Sequence, residues 1–364
     1  MNIVLYEQEH FEILDSLIRV FGPGNRLHLL IPQGMDKYLD AGPGNPEIHF
    51  LPGEPAKHPQ AVKELCREQS AGLLVLATVS FRHWQFAAVC RQLQPQTSTL
   101  LLVHDLRDLL APVTGNRLRG WLQYAGKLRL RGAVSAYAVL LEEMKSYLRA
   151  QQVRKPVYVL PGSFYKEAPA FETDADRVVL GIPGSIDATR RNYDDVKNFV
   201  GLLQERNREH GYVIRLIGGV TAHTPAWIDD CPGFIEHKSG SLSQEAFDQW
   251  MQGCELAWLP LAPVFRRPGH PDEQYGVTKS SGAFFDTLRH GKPLLAPDDL
   301  PVPEILASAL LRYSDATYLY YLLEALKQNP VARRRLQELA REQSAKVRSA
   351  EVRARLRPLI GYEA

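Results

Sequence analysis

The chain has 364 residues, 45% of them hydrophobic and 23% charged, and its 43 Lys and Arg nearly balance its 41 Asp and Glu. A net charge of +2 argues against the broad positive field of a nucleic-acid-binding protein, so no nucleic-acid partner is expected, and the length suits two α/β domains with separate cores. Four cysteines, Cys66, Cys90, Cys231 and Cys254, lack the spacing of a disulfide framework or a metal knuckle and read as reduced, mostly buried thiols.

The sequence begins on a strand at 2–6, with no basic segment ahead of an apolar one. Its longest apolar run, 71–81, falls short of the ~20 residues a membrane span needs, and a cytoplasmic location is expected. Strands are predicted at 26–31, 47–51, 72–77, 99–103, 133–140 and 157–160, separated by helical patterns such as 59–69 and 81–93. Continuous Leu, Val and Ile runs of this kind fit a parallel sheet covered on both faces. The densest basic stretch, 117–131, sets Leu118, Trp121, Leu122, Ala125 and Leu128 on one helical face, flanked by Arg117, Lys127 and Arg131. Two readings stay open there. The face packs on the core, or the Trp and its neighbouring cations form a peripheral, salt-sensitive contact with an anionic membrane.

Residues 163–177 lose all periodicity and read as a linker between a first domain, 1–162, and a second, 178–330. In the second, strands are predicted at 178–182, 212–217, 234–235, 255–260 and 293–296, with helices at 193–210 and 244–253. A final Arg- and Glu-rich helix, roughly 331–357, lies within a C-terminal segment 331–364.

The most informative stretch is 273–293, Glu-Gln-Tyr-Gly-Val-Thr-Lys-Ser-Ser-Gly-Ala-Phe-Phe-Asp-Thr-Leu-Arg-His-Gly-Lys-Pro. It reads as a loop feeding a helix: Thr278, Ser280 and Ser281 can cap, Gly282 allows close approach of a ligand, and Gly291 stops the helix. The unpaired N–H groups and positive dipole end of such a helix bind anions, and Lys279 adds a cation. Asp286 is spaced to reach a sugar hydroxyl beyond the phosphates.

This stretch resembles the donor-binding domain of GT-B glycosyltransferases, with Glu273, Tyr275-Gly276 and Gly291-Lys292-Pro293 at the matching positions. Retaining members related to sucrose synthase carry two glutamates eight positions apart. Here position 281 is Ser, so the resemblance is to the subset reading Tyr-x-x-(Arg/Lys)-x-Ser-Gly. It implies an α/β fold of two Rossmann-like domains facing each other across a cleft, the first for acceptor and the second for a nucleotide diphosphate sugar. In such proteins a terminal helix often crosses back to the first domain.

The resemblance further implies a donor-diphosphate site at Gly184, Arg190, Arg191, Thr278, Lys279, Ser280, Ser281 and Gly282, with Glu273, Tyr275 and Gly276 at the donor sugar. Gly218, His237 and Asp286 are the nucleoside candidates. Arg190 and Arg191 follow a glycine loop at the end of the second domain's first strand, where a fixed cation would stabilise the departing diphosphate more than the ground state. No metal and no cofactor is then required; the nucleotide sugar, of UDP, dTDP or GDP type, is the co-substrate.

In the first domain His104 closes a strand and is the candidate base, alongside Glu273 as a catalytic candidate; Glu9 and His10 join His104 as acceptor candidates, with Glu7, His83 and Trp84 nearby. The expected activity is glycosyl transfer to a hydroxyl acceptor, a class that includes lipid-linked and polysaccharide intermediates. A nucleotide-sugar 2-epimerase and a catalytically silent binding subunit of the same fold are the alternatives.

Overall fold

The computed structural model of the protein describes residues 1–39, 45–111, 117–167, 177–206, 211–240 and 242–360. Most of the linker expected at 163–177 lies outside the described residues, as do the side chains of Arg117 and Leu118. The chain divides into two compact units, the first made of Met1–Ser163, Arg266–Ser280 and Arg348–Ala364, the second of Phe164–Phe265 and Ser281–Val347.

In the first unit, strands β1 (Asn2–Tyr6), β2 (Arg26–Ile31), β3 (Glu47–Phe50), β4 (Leu73–Leu76), β5 (Ser98–Val103), β6 (Ala136–Val139) and β7 (Val157–Val159) form one parallel sheet in the order β3-β2-β1-β4-β5-β6-β7. Every residue of β4 and β6 is buried, which is why these strands read as unbroken apolar runs rather than alternating ones. Helices α1 (Leu14–Phe21), α2 (His58–Glu68), α3 (His83–Leu93), α4 (Leu106–Leu110), α5 (Arg117–Ala133) and α6 (Glu142–Ala150) belong to the same unit. Helices α3 and α5 pack closely where Gly126 faces Trp84: a Cβ on that glycine would sit 2.7 Å from Trp84 Cδ1.

The second unit holds β8 (Val178–Pro183), α7 (Tyr193–Glu205), β9 (Tyr212–Ile217), β10 (Ile235–Glu236), α8 (Gln244–Gln252), β11 (Leu256–Trp258) and β12 (Val264–Phe265). The chain then contributes β13 (Glu273–Gln274) to the first unit before α9 (Gly282–Arg289), β14 (Leu294–Pro297), β15 (Leu310–Tyr313), α10 (Ala316–Lys327) and α11 (Pro330–Ser344) complete the second. The sheet is again parallel, β10-β9-β8-β11-β14-β15. Its core gathers Trp258, Phe199, Tyr212 and Tyr313; Trp258 Nε1 donates to the Tyr313 hydroxyl at 3.2 Å, which donates to Asp195 at 2.9 Å. Burying both rings is tolerable because their polar ends are paired.

The helix read at 331–357 is two helices. α11 ends at Ser344, a turn follows in which Val347 N–H donates to Ser344 O, and α12 (Ser349–Ile360) begins. The break has a packing reason: each half serves a different core. α11 buries Arg333 in the second unit, its guanidinium on both oxygens of Glu255, while α12 lays Val352, Leu356 and Ile360 inward and packs on α1 and β7 of the first. A rigid 27-residue rod could not do both. Strand β15 and helix α10 were not foreseen from the sequence.

Candidate functional site

Both sheets have a topological switch point, where successive crossovers leave in opposite directions and the loops at the strand C-termini part to leave a crevice. In the second unit it lies between β8 and β11. The loop after β8 carries Gly184 at φ +93, and a Cβ on Gly218, after β9, would lie 2.3 Å from the Gly184 oxygen. Both glycines are therefore required by close backbone approach of the two loops.

The two arginines of the β8 loop differ in role. Arg191 is 8% exposed, and its guanidinium donates to the carbonyls of Ser185, at 2.5 Å, and Pro183, folding the loop back on itself. Arg190 is exposed, its Nε 4.0 Å from Asp187. Asp187 accepts the Thr189 N–H at 2.8 Å and its hydroxyl at 2.6 Å, an Asx turn; these bonds and Arg190 outweigh burial and hold its carboxyl below the usual range.

Helix α9 follows β11 in the sheet order and precedes β14, so its N-terminus opens at the same C-terminal edge of the sheet. Ser281 occupies the N-cap position, but its hydroxyl makes no capping bond. Thr278, expected to cap, instead accepts the Gln274 N–H at 2.8 Å in the preceding loop. A Cβ on Gly282 would meet nothing within 4 Å, so no protein atom demands glycine at the first turn. Asp286 lies half-buried one turn on. At the far end Gly291 takes φ +56, where a Cβ would press on Tyr165 and Arg341.

His237, just past β10, donates or accepts at Nε2 with Asp229 Oδ1 (2.8 Å), and its Nδ1 is buried without a partner. It borders a depression of about 480 Å³ that also contains Lys238 and Trp250, with the Lys238 ammonium 5.2 Å from the Trp250 ring centre.

The rest of the 273–293 motif belongs to the first unit. Glu273, 3% exposed, accepts the Asp108 N–H at 2.8 Å in the first turn of α4, and the Thr278 carbonyl accepts the Leu106 N–H at 2.9 Å. Lys279 Nζ bonds the Asp105 carboxylate, so its charge already has a protein partner. Gly276 turns this loop at φ +74, with Tyr275 buried beside it, and Ser280 ends it half-buried. Burial, reinforced by Asp105, pushes the Glu273 carboxyl up to about 7, and its Oε2 is buried without a hydrogen bond.

The first unit's switch point lies between β1 and β4, and there the acceptor candidates gather. Glu7 is fully buried; Oε1 takes the N–H groups of Gln8, Glu9 and His10 at 2.7, 2.6 and 2.8 Å, and Oε2 takes the Thr78 hydroxyl at 2.7 Å. The loop's own carboxylate thus fills the nest of amides that a glycine-rich loop would offer to a ligand. Burial raises the Glu7 pKa despite those bonds.

His104 Nε2 donates to Ala77 O at 3.1 Å, and the Thr78 hydroxyl, whose proton goes to Glu7, lies 3.4 Å away. This fixes the tautomer with its lone pair on Nδ1. Burial first, then His10 and Lys279, bring His104 down to about 4, so the ring is neutral at pH 7. His10 stacks on it at 4.6 Å between ring centres and is pushed the other way by its hydrogen bond to Glu12. Glu9 is exposed.

Sequence reading named His10 and His104 but gave no role to Thr78 and Asp105 beside His104, or to Asp108. Asp108 is a hub, accepting Lys127 at 2.7 Å and meeting His270 at 2.9 Å, and these partners hold its carboxyl low against burial. A pair of aspartates three apart opening a helix after a buried strand was the available signal. Lys127 corrects an expectation: it is buried in this ion pair, not presented on the surface of α5. Trp121, Leu122 and Leu128 are 67%, 55% and 43% exposed, so the apolar face of α5 does not pack on the core. Trp84 joins them, its Nε1 on the Leu122 carbonyl at 3.1 Å and the Arg129 guanidinium 4.4 Å from its ring centre, whereas His83 is buried and, through burial and Lys127, brought down to about 4.

No protein-family model matches the chain, and no curated protein matches its sequence. Solved structures do. Anabaena HepE in complex with UDP matches with a TM-score of 0.66 at 12% identity, covering 99% of this chain and 100% of that one. A trehalose-6-phosphate synthase from Burkholderia multivorans matches at 0.59 and 10% identity, over 99% and 98%. A Listeria monocytogenes protein described as a putative UDP-N-acetylglucosamine 2-epimerase matches at 0.57 and 11%, over 95% and 94%. The protein has the GT-B fold that these solved structures share.

Proposed function

We propose that the protein is a glycosyltransferase that moves a sugar from a nucleotide diphosphate donor to a hydroxyl acceptor without a metal ion. The observation that carries this reading is the second unit's switch point, where the uncapped start of α9, an unobstructed Gly282 and the exposed Arg190 stand at one sheet edge. Helix amides and an exposed guanidinium are the donors a leaving diphosphate needs, since their hold strengthens as charge develops on the bridging oxygen. Thr278, Lys279 and Ser280 are assigned to the donor diphosphate, Gly184 and Arg191 to the shape of the β8 loop, Gly218 and His237 to the nucleoside, and Asp286 to the ribose. Glu273, Tyr275 and Gly276 are assigned to the donor sugar.

In the first unit, His104 is assigned as the base, receiving the acceptor proton on Nδ1, with Glu9 and His10 beside it. A ring this hard to protonate acts by accepting the proton late, as the hydroxyl acidifies on attacking the anomeric carbon. The exposed Trp121-Leu122 surface of α5 supports a lipid-linked acceptor met at an anionic membrane face. Among the described residues no helix is long and apolar enough to cross a membrane.

The test is incubation with UDP-, dTDP- and GDP-sugars, with and without hydroxyl acceptors, in the presence of EDTA, following release of nucleoside diphosphate. Acceptor-dependent release supports the proposal. An isomerised sugar formed from donor alone would replace it with the epimerase reading, which the Listeria protein's fold keeps in view, and no turnover together with no tight nucleotide binding would leave a catalytically silent binding subunit.

A further inference from the structure

Strands β2 and β3 bring His28 together with two side chains, Glu47 and His49, that lie nineteen and twenty-one residues on in the sequence. Their register pairs His28 with Glu47 and Leu30 with His49, and because side chains alternate along a strand, His28, Glu47 and His49 share one face of the sheet. His28 Nδ1 lies 3.3 Å from Glu47 Oε2 and 3.3 Å from His49 Nε2, and His49 Nε2 lies 3.5 Å from Glu47 Oε1. A tetrahedral ion with bonds of about 2.0–2.1 Å to nitrogen and oxygen has ligand-to-ligand edges of about 3.3–3.4 Å. The two separations at His28 match those edges, the contact of His49 is to the other carboxylate oxygen, and one donor atom from each of the three residues lies within 4.8 Å of the others. Hydrogen bonds can join each imidazole to its own Glu47 oxygen but leave the two ring nitrogens facing each other at 3.3 Å, whereas a divalent cation would take a lone pair from each of the three residues.

We propose that His28, Glu47 and His49 form a site for a borderline-soft divalent cation, with zinc as the best fit, completed by solvent at a fourth position. Two imidazoles and one carboxylate are a donor set suited to zinc and poorly suited to calcium or magnesium, which take oxygen. Access is asymmetric in a useful way: His28 is fully buried and fixed, while the Glu47 side chain is 57% exposed and His49 26%. The buried histidine sets the position and the two edge residues close on the ion from solvent. The ion would tie β3, the edge strand of the first sheet, to β2. None of the three residues is among those assigned to donor or acceptor, so the ion's role is to hold this edge, not to take part in transfer.

The test uses tag-free full-length protein dialysed against chelator and then titrated with Zn²⁺ in competition with a chromophoric chelator, and with Co²⁺ read by the visible bands of a tetrahedral ion. One equivalent should bind at micromolar metal, and Zn²⁺ should raise the melting temperature. His49→Gln and Glu47→Gln, neither at a buried side chain, should each weaken binding at least about tenfold and together abolish the cobalt bands, with the nucleotide response unchanged. Cys231→Ser, at the one described cysteine that is not buried, should change nothing. Absence of stoichiometric binding, equal binding by the Gln double variant, or loss of the bands in Cys231→Ser alone would overturn the site.

Discussion

The Glu273 carboxylate accepts the Asp108 amide at 2.8 Å with one oxygen and keeps the other buried and unpaired. Burial raises its pKa from an ordinary 4.5 to about 7, so folding favours the protonated acid. The associated stability is fully present below about pH 4.5 and lost as pH rises through about 7, on the order of 3 kcal/mol in total. Glu273→Gln keeps an oxygen for the Asp108 amide and cannot ionise. Its stability should overtake that of the wild type between pH 5 and 8, as read by urea melts on that range. Parallel curves for the two proteins would show that Glu273 is ordinary.

Arg190 and Arg191 are adjacent but should fail differently. Arg191→Gln removes charge-assisted bonds to two loop carbonyls, that of Pro183 buried, and should destabilise the protein by roughly 2–3 kcal/mol. Arg190→Gln should leave the apo melting temperature unchanged and weaken nucleoside diphosphate binding. Thermal melts with and without nucleotide separate the two, and the reverse pattern would exchange their roles.

The glycines make a matching pair. Gly218→Ala drives a Cβ into the Gly184 carbonyl and should cost about 1–3 kcal/mol of stability. Gly282→Ala meets no protein atom and should leave the apo fold at least as stable, since glycine is a poor helix former. Its effect should appear only as weaker nucleotide binding. A destabilised Gly282→Ala variant would mean that the glycine serves the fold.

Both parallel sheets were legible in the sequence because buried central strands are unbroken apolar runs whose edges are marked by turn residues; β1, β2 and β9 fall where the pattern places them. The break between α11 and α12 was not legible, since Arg- and Glu-rich periodicity continues through it and only the two packing partners require it. In the site, Gly184 and Arg190 could be read from their place after a strand. That Arg191 would turn back onto its own loop could not, because it depends on how the loop folds, and that Lys279 would meet Asp105 and Lys127 Asp108 could not, because those partners lie 174 and 19 positions away in the chain.

The surface of α5 gives a physical prediction of its own. Trp121 and Leu122 stand out to solvent, and with Arg129 nearby they should bring the protein down with anionic vesicles at low salt and release it at high salt, each cation contributing about 1 kcal/mol. Trp121→Ala with Leu122→Gln should abolish pelleting. Equal pelleting with neutral and anionic vesicles, or none at all, removes the support for a lipid-linked acceptor.

The most direct measurement of the central claim is calorimetric titration of the wild type and Arg190→Gln with UDP, dTDP and GDP. The account predicts one site for at least one of these nucleotides, weakened about tenfold or more by Arg190→Gln, in line with the roughly 1.5–3 kcal/mol of a hydrogen bond to a charged group. Absence of binding by all three at millimolar concentration, or identical affinity in the two proteins, would contradict a donor diphosphate held at the β8 loop and the start of α9.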